Sequence, residues 1–102
     1  MPIDIERIDD VIHGRVRLGI MTYLANAETA DFTELKAALN ATQGNLSVHL
    51  TKLEEAGYIE IVKSFLGRKP NTSVRLTRAG RKAFAGYLKV ISELIDKAAG
   101  GE

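Results

Sequence analysis

The chain has 102 residues, 45% of them apolar and 26% charged, with no cysteine and a formal net charge of +1. That length suits one domain burying roughly 65% of its unfolded surface, and the lack of cysteine excludes disulfides and thiolate metal sites. No apolar run approaches the roughly 20 residues needed to cross a bilayer, and the acidic opening Met1-Pro2-Ile3-Asp4-Ile5-Glu6 lacks the layout of a signal peptide; a cytoplasmic protein without a membrane partner is expected.

The charge is unevenly spread. Residues 42–82 hold eight basic and three acidic side chains, net +5, while residues 1–41 are net −3. A basic middle in a near-neutral chain suits either a solvated face or a surface turned to a polyanion.

In chain order, Val11 to Leu24 carries apolar residues at helical spacing through Val16, Ile20 and Leu24. A short second helix follows from Thr33 as N-cap, with Leu35 and Leu39 on one face. The third runs from Gln43 to Ala56, capped by Thr42, its buried stripe Leu46, Leu50 and Leu53, closed by Gly57. The short interval between these two helices matches a helix-turn-helix. Periodicity then switches to alternation: Tyr58–Phe65 and Thr72–Leu76 read as two strands about a Leu66–Asn71 turn, a β-hairpin with Arg68 and Lys69 at its tip. Thr77 caps a last helix reaching about Ala98. The expected fold is mainly α with a small β-hairpin wing, a winged helix-turn-helix in one domain over residues 1–102, its core about 10–80 and its long last helix about 77–98.

A helix with one apolar face and one short-polar face can be anchored on its own core and still read base edges in the major groove. The third helix divides in this way, leaving Gln43, Asn45, Ser47, His49 and Lys52 outside its leucine stripe. Gln and Asn offer the paired donor and acceptor that suit adenine. Gly44, unfavourable in a helix by roughly 1 kcal/mol relative to Ala, lets backbone approach a phosphate, and Thr42 at the cap belongs to the same candidate DNA-binding set. On the wing, Arg68 and Lys69 suit the phosphate backbone or an adjacent minor groove, and Lys63, Arg75 and Arg78 extend the basic strip. His49 reads as a DNA contact, to a base or to a phosphate; a half-buried helix residue is the alternative.

The run Leu46-Ser47-Val48-His49-Leu50-Thr51-Lys52-Leu53-Glu54-Glu55-Ala56-Gly57-Tyr58-Ile59 resembles the recognition-helix signature of ArsR- and MarR-type winged-helix regulators. So do Phe32-Thr33-Glu34-Leu35 before it and Leu76-Thr77-Arg78-Ala79-Gly80-Arg81 after the wing; the likeness spans about residues 10–95. It implies a DNA-binding homodimer that reads a palindromic operator, with the first and last helices as interface and half-sites about one DNA turn apart. It also places Gln43, Asn45, Ser47, His49 and Lys52 on the groove-facing helix and Arg68 and Lys69 on the wing. Metal-sensing members use cysteines or paired His and carboxylate ligands; here only His13 and His49 are present, so no metal or cofactor is expected.

The last helix carries an apolar stripe of Phe84, Tyr87, Leu88, Ile91, Leu94 and Ile95. It is longer than one small core needs, and is expected to form an isologous dimer interface. No nucleophile–base set, phosphate loop or spaced carboxylate pair points to an enzyme. The expectation is a transcriptional regulator, a repressor, with a small-molecule effector left open. The alternative is a winged-helix protein–protein module, which would call for an acidic or apolar recognition face.

Overall fold

The computed structural model describes residues 2–100. After a 3-10 turn at Ile5–Arg7 come α1 (Arg15–Asn26), β1 (Ala30–Asp31), α2 (Phe32–Leu39), α3 (Gln43–Glu55), β2 (Ile59–Leu66), β3 (Lys69–Leu76) and α4 (Arg78–Ala98). The three strands form an antiparallel sheet in the order β1-β3-β2. Four helices with a hairpin wing and a long last helix make the winged helix fold expected from the pattern.

The core lies where α1, α2 and α3 meet the base of the wing. Ile20, Met21 and Leu24 of α1 pack with Leu35, with the Leu46, Leu50 and Leu53 stripe, and with Ile59 and Val74 of the sheet. Each such side chain stabilises by roughly 1.5–3 kcal/mol on burial, so the α3 stripe alone fixes that helix firmly on the body. Thr42 caps α3 by accepting from the Asn45 amide at 3.2 Å, and Gly57 closes it with φ +81°, both as the sequence indicates.

Several boundaries differ from the sequence reading, each for a local reason. The first helix begins at Arg15 rather than Val11, because the Asp9 carboxylate accepts from the amides of Val11 and Ile12 and folds that stretch into a turn. The second helix is capped by Asp31, not Thr33. Asp31 accepts from the Glu34 amide at 2.7 Å and Glu34 reaches back to the Asp31 amide, a reciprocal capping box. Residues Ala30 and Asp31 also pair with Val74 and Ser73, a third strand too short to show as alternation.

The wing turn is two residues, Gly67 and Arg68, so Lys69 and Pro70 belong to β3. Gly67 has φ +66°, as a tight hairpin turn with glycine in first position requires. A two-residue loop makes Leu66–Lys69 a hydrogen-bonded pair and Phe65–Pro70 the next, non-hydrogen-bonded one. At that rung an N–H would point away from β2, where two-residue β1 does not reach, so proline is tolerated in a strand that is central only at its base.

The far end of α3 is joined to the start of α4 by a compact junction. The Tyr58 carbonyl accepts from the Thr77 amide at 3.0 Å, the Thr77 hydroxyl donates to the Gly57 carbonyl at 2.6 Å, and it also caps α4 by accepting from the Gly80 amide. Gly80 is buried against Tyr58, and a Cβ there would overlap the Tyr58 carbonyl and carbonyl carbon. The Tyr58 hydroxyl donates to Asp9 at 2.5 Å, and this bond to a carboxylate, with burial behind it, pushes its pKa up to about 12.

Helix α4 has 21 residues, about 31 Å of helix, and it outruns the body. The molecule measures 58 × 26 × 21 Å with a radius of gyration of 15.5 Å, against about 13 Å for an equant domain of this length. Phe84 and Tyr87, expected at a dimer interface, are instead 7% and 4% exposed inside their own protomer, since the first turns of α4 still lie over the core. Leu88 and Ile95 are 49% and 60% exposed, with Ile91 and Leu94 half-buried. The N-terminal turn runs along the same helix, held by an Arg7–Glu93 ion pair at 2.9 Å. His13 reaches the Tyr87 hydroxyl at 2.8 Å.

Gly80→Ala is expected to lower unfolding stability by about 3 kcal/mol, since the obstacle is backbone rather than a flexible side chain. Urea denaturation checks this, and Ala at the unobstructed position of Gly86 is the control, expected to raise stability instead.

Candidate nucleic-acid interface

The polar surface of α3 divides into three strips. Gln43, Ser47 and Thr51, at i, i+4 and i+8, turn toward the wing and line an open cleft with Thr33 of α2, Lys63 of β2 and Asn71 and Thr72 of β3. The cleft has a volume of about 510 Å³. Gly44 and Val48 form the outermost ridge: a Cβ on Gly44 would meet nothing within 4 Å, and Val48 is exposed. Asn45, His49 and Lys52 lie on the side toward α1, Asn45 beside Arg15 and Lys52 beside Arg17.

Of the residues singled out from the sequence, the structure thus brings Gln43 and Ser47 together with Lys63 around one concavity. Thr42, Gly44 and Asn45 sit at the exposed N-terminal turn of α3. There the amides of the first turn face outward and the helix dipole favours an anion. Sequence reading missed Thr51, Thr33 and Thr72. Thr51 was reachable from the i+4 spacing after Ser47, whereas Thr33 and Thr72 depend on tertiary placement. Val48 was passed over because an apolar residue on a helix reads as core, yet an outward methyl-bearing side chain is the kind of group that meets a thymine methyl.

His49 is turned toward α1. Arg17 donates from Nε to the Val11 carbonyl at 2.5 Å, and its Nη1 lies 2.9 Å from Nδ1 of His49. A guanidinium has no acceptor, so Nδ1 accepts and the proton sits on Nε2. Burial, then the charges of Arg17 and Lys52, hold the His49 pKa below its ordinary value. Its Nε2 remains as a neutral donor.

The two faces of the wing differ. By register, Lys63 and Thr72 share the face turned to α3, together with the Phe65–Pro70 pair. Arg75 lies on the other face, opposite Glu60, and is bound to it at 2.6 Å. Arg75 therefore stands on the back of the hairpin, away from the α3 cleft, because a period-two strand sends neighbours to opposite faces. Lys69 shares that parity at the tip, and Arg68 is in the turn itself. Among the described residues, Lys63, Arg68 and Lys69 make no ion pair within the protomer.

Residues 16–95 match the family model described as "Winged helix DNA-binding domain". Uncharacterized protein MJ0432 of Methanocaldococcus jannaschii is 39% identical over 84 residues, 82% of this chain and 91% of the relative. Among solved structures, a transcriptional regulator homologue protein from Pyrococcus horikoshii OT3 superposes with a TM-score of 0.81 at 32% identity, covering 86% of this chain and 87% of the other. A MarR-family transcriptional regulator from Silicibacter pomeroyi gives 0.68 over 92% of this chain and 62% of its own, and at 17% identity shares the fold.

A depressed native pKa means that the folded state binds the His49 proton more weakly than the unfolded chain. Stability associated with His49 is therefore kept above about pH 6.5, its ordinary value, and lost as pH falls through the lower native pKa. The NMR titration midpoint of His49 is expected below 6.5, and to move upward in Arg17→Ala; an unchanged midpoint in that variant would contradict the coupling.

Proposed function

We propose that this chain, which belongs to the family of winged helix DNA-binding domains, is a sequence-specific transcriptional repressor acting as a homodimer on double-stranded DNA. The observation that carries this reading is the single concavity between α3 and the wing. One wall is the amide- and hydroxyl-bearing strip Gln43, Ser47 and Thr51, and the other bears Lys63. The free cation of Arg68 stands at the wing tip. A groove wall and a flanking backbone are the surfaces such an arrangement fits.

In this mechanism α3 enters the major groove by its N-terminal half. Gln43 and Asn45 read base edges, Ser47 and Thr51 adapt to them, and Gly44 admits a phosphate close to the first-turn amides. Lys52, Lys63, Arg68 and Lys69 neutralise phosphates, and the neutral Nε2 of His49 donates to one on the α1 side. Two protomers pair along the outer half of α4 through Leu88, Ile91, Leu94 and Ile95. The neighbouring Ile3 and Ile5, also exposed, add to this surface. A two-fold pair presents two α3 helices to half-sites of a palindromic operator roughly 34–36 Å apart, and occupancy of a promoter represses. The outward face of α3 is polar apart from Val48, whereas a protein–protein module would call for an acidic or apolar one.

Fluorescence anisotropy against a selected operator and a random duplex tests the DNA reading. Gln43→Ala is expected to cost about 1–3 kcal/mol on the operator and little on random DNA, while Arg68→Ala weakens both and lowers the log–log salt slope by about one. No binding by the wild type at low salt would reject the proposal.

Gly44→Ala separates stability from binding. It is expected to raise stability by about 0.5–1 kcal/mol in thermal melts and to weaken DNA binding by crowding the phosphate. For the dimer, Leu88→Glu with Ile95→Glu is expected to shift sedimentation from two protomers to one without loss of helical circular dichroism, because neither side chain is in the protomer core.

A further inference from the structure

The wing carries an apolar feature that phosphate binding does not use. Phe65 and Leu66 are 70% and 68% exposed at the end of the hairpin, directly before the Gly67–Arg68 turn. By register they project to opposite faces: Phe65 sits with its cross-strand partner Pro70 on the side turned to α3, and Leu66 sits with Lys69 on the back. β2 is an edge strand, and exposed apolar side chains on an edge invite aggregation. Nothing in the protomer shields either residue. Three cations stand nearby, Lys63 on the face of Phe65, Lys69 on that of Leu66 and Arg68 in the turn, and they make no ion pair among the described residues.

Exposed apolar side chains beside unpaired cations fit a partner that is anionic outside and apolar within. Base-paired DNA is such a partner, with phosphates along the groove edges and the flat faces of its bases between them. We infer that the wing tip is a wedge, Phe65 entering a base step from the minor groove while Arg68 and Lys69 hold the flanking phosphates, so that the protein unstacks and bends its DNA. Reach is compatible. Val74, paired with Ile61, is the outermost buried residue of the wing. Phe65 lies four residues beyond that rung, about 13 Å of strand. Half a helical turn separates a major groove from the next minor groove on one face of DNA, about 17 Å, a span of the same order. Apolar side chains inserted at a step partially unstack it and kink the duplex toward the major groove. Pyrimidine–purine steps yield most readily. The wedge would thus confer a preference for TA or CA/TG steps beneath the wing at positions where it forms no hydrogen bond to a base.

This inference rests on the DNA-binding reading, and the experiment keeps the two apart. The full chain is titrated at low salt into two 24-base-pair duplexes, one of alternating TA steps and one an A-tract. Each duplex carries end labels for energy transfer and 2-aminopurine in place of one adenine. Wild type is expected to raise 2-aminopurine emission and shorten the end-to-end distance on the TA duplex, binding it about tenfold more tightly than the A-tract. Phe65→Ala with Leu66→Ala removes no charge. It should keep the salt slope of binding while abolishing the emission rise, the bend and the tenfold preference; circular dichroism verifies its fold. Binding by wild type with neither unstacking nor bending, or with both retained in the double variant, overturns the wedge and leaves the DNA reading intact. A double variant that changes only the sedimentation of the free protein overturns it too, assigning the tip to a second copy of the chain. Absence of binding to either duplex overturns both.

Discussion

The close approach of Gly80 to the Tyr58 carbonyl is the constraint on which the rest of the architecture depends. With no side chain at Gly80, α4 can start against the turn that ends α3, and Thr77 then uses one hydroxyl to cap α4 and to hold the Gly57 carbonyl. Leu76, the last residue of β3, pairs with Ile59, the first of β2. The end of α3, the base of the wing and the start of α4 therefore share a few residues. Tyr58 extends the junction to the N-terminal segment through Asp9. The angle between α3 and the wing, and so the shape of the cleft between them, is set here.

Gln43, Asn45 and Ser47 of α3 make no side-chain hydrogen bond among the described residues, whereas Thr51 donates to the Ser47 carbonyl and His49 is tied to Arg17. Where the protomer has ion pairs, they lie elsewhere: Arg75 with Glu60 on the back of the wing and Arg7 with Glu93 beside α4. Surface pairs of this kind contribute about 0–1 kcal/mol, so they matter less for stability than for removing charge from those faces. Lys63 in the cleft and Arg68 and Lys69 at the wing tip make no ion pair among the described residues and keep their charge available. Arg17 is the exception near α3, and it is spent on the carbonyls of Asp10 and Val11 and on His49.

Much of this was legible in the residues. The Leu46, Leu50, Leu53 stripe, Thr42, Gly57 and Thr77 are local signals, and they placed α3 and the start of α4 within a residue. Capping of α2 was misplaced because Thr33 and Asp31 are both good caps, and only the reciprocal bond with Glu34 decides between them. Burial of Phe84 and Tyr87 was not legible, since one apolar stripe continues from the protomer core onto the exposed half of α4 and the pattern does not mark where the body ends. Arg75 read as part of a basic strip because charge along a sequence does not tell the faces of a strand apart. From the sequence His49 reads as contact or as burial, because its tie to Arg17, 32 residues away, is tertiary and carries no periodic signature.

A rod clamped at one end and projecting past the body at the other is a lever, and α4 has that form. Its clamp is the Gly80–Tyr58 junction, and its distal half extends past the core, braced at the surface by the N-terminal turn through Arg7 and Glu93. Over about 31 Å of helix, a tilt of five degrees at the clamp displaces the far end by roughly 3 Å, and the same tilt imposed at the far end returns to the clamp as a rotation of the body. Whatever grips the distal half of α4 thus has mechanical advantage over the orientation of α3, without touching it.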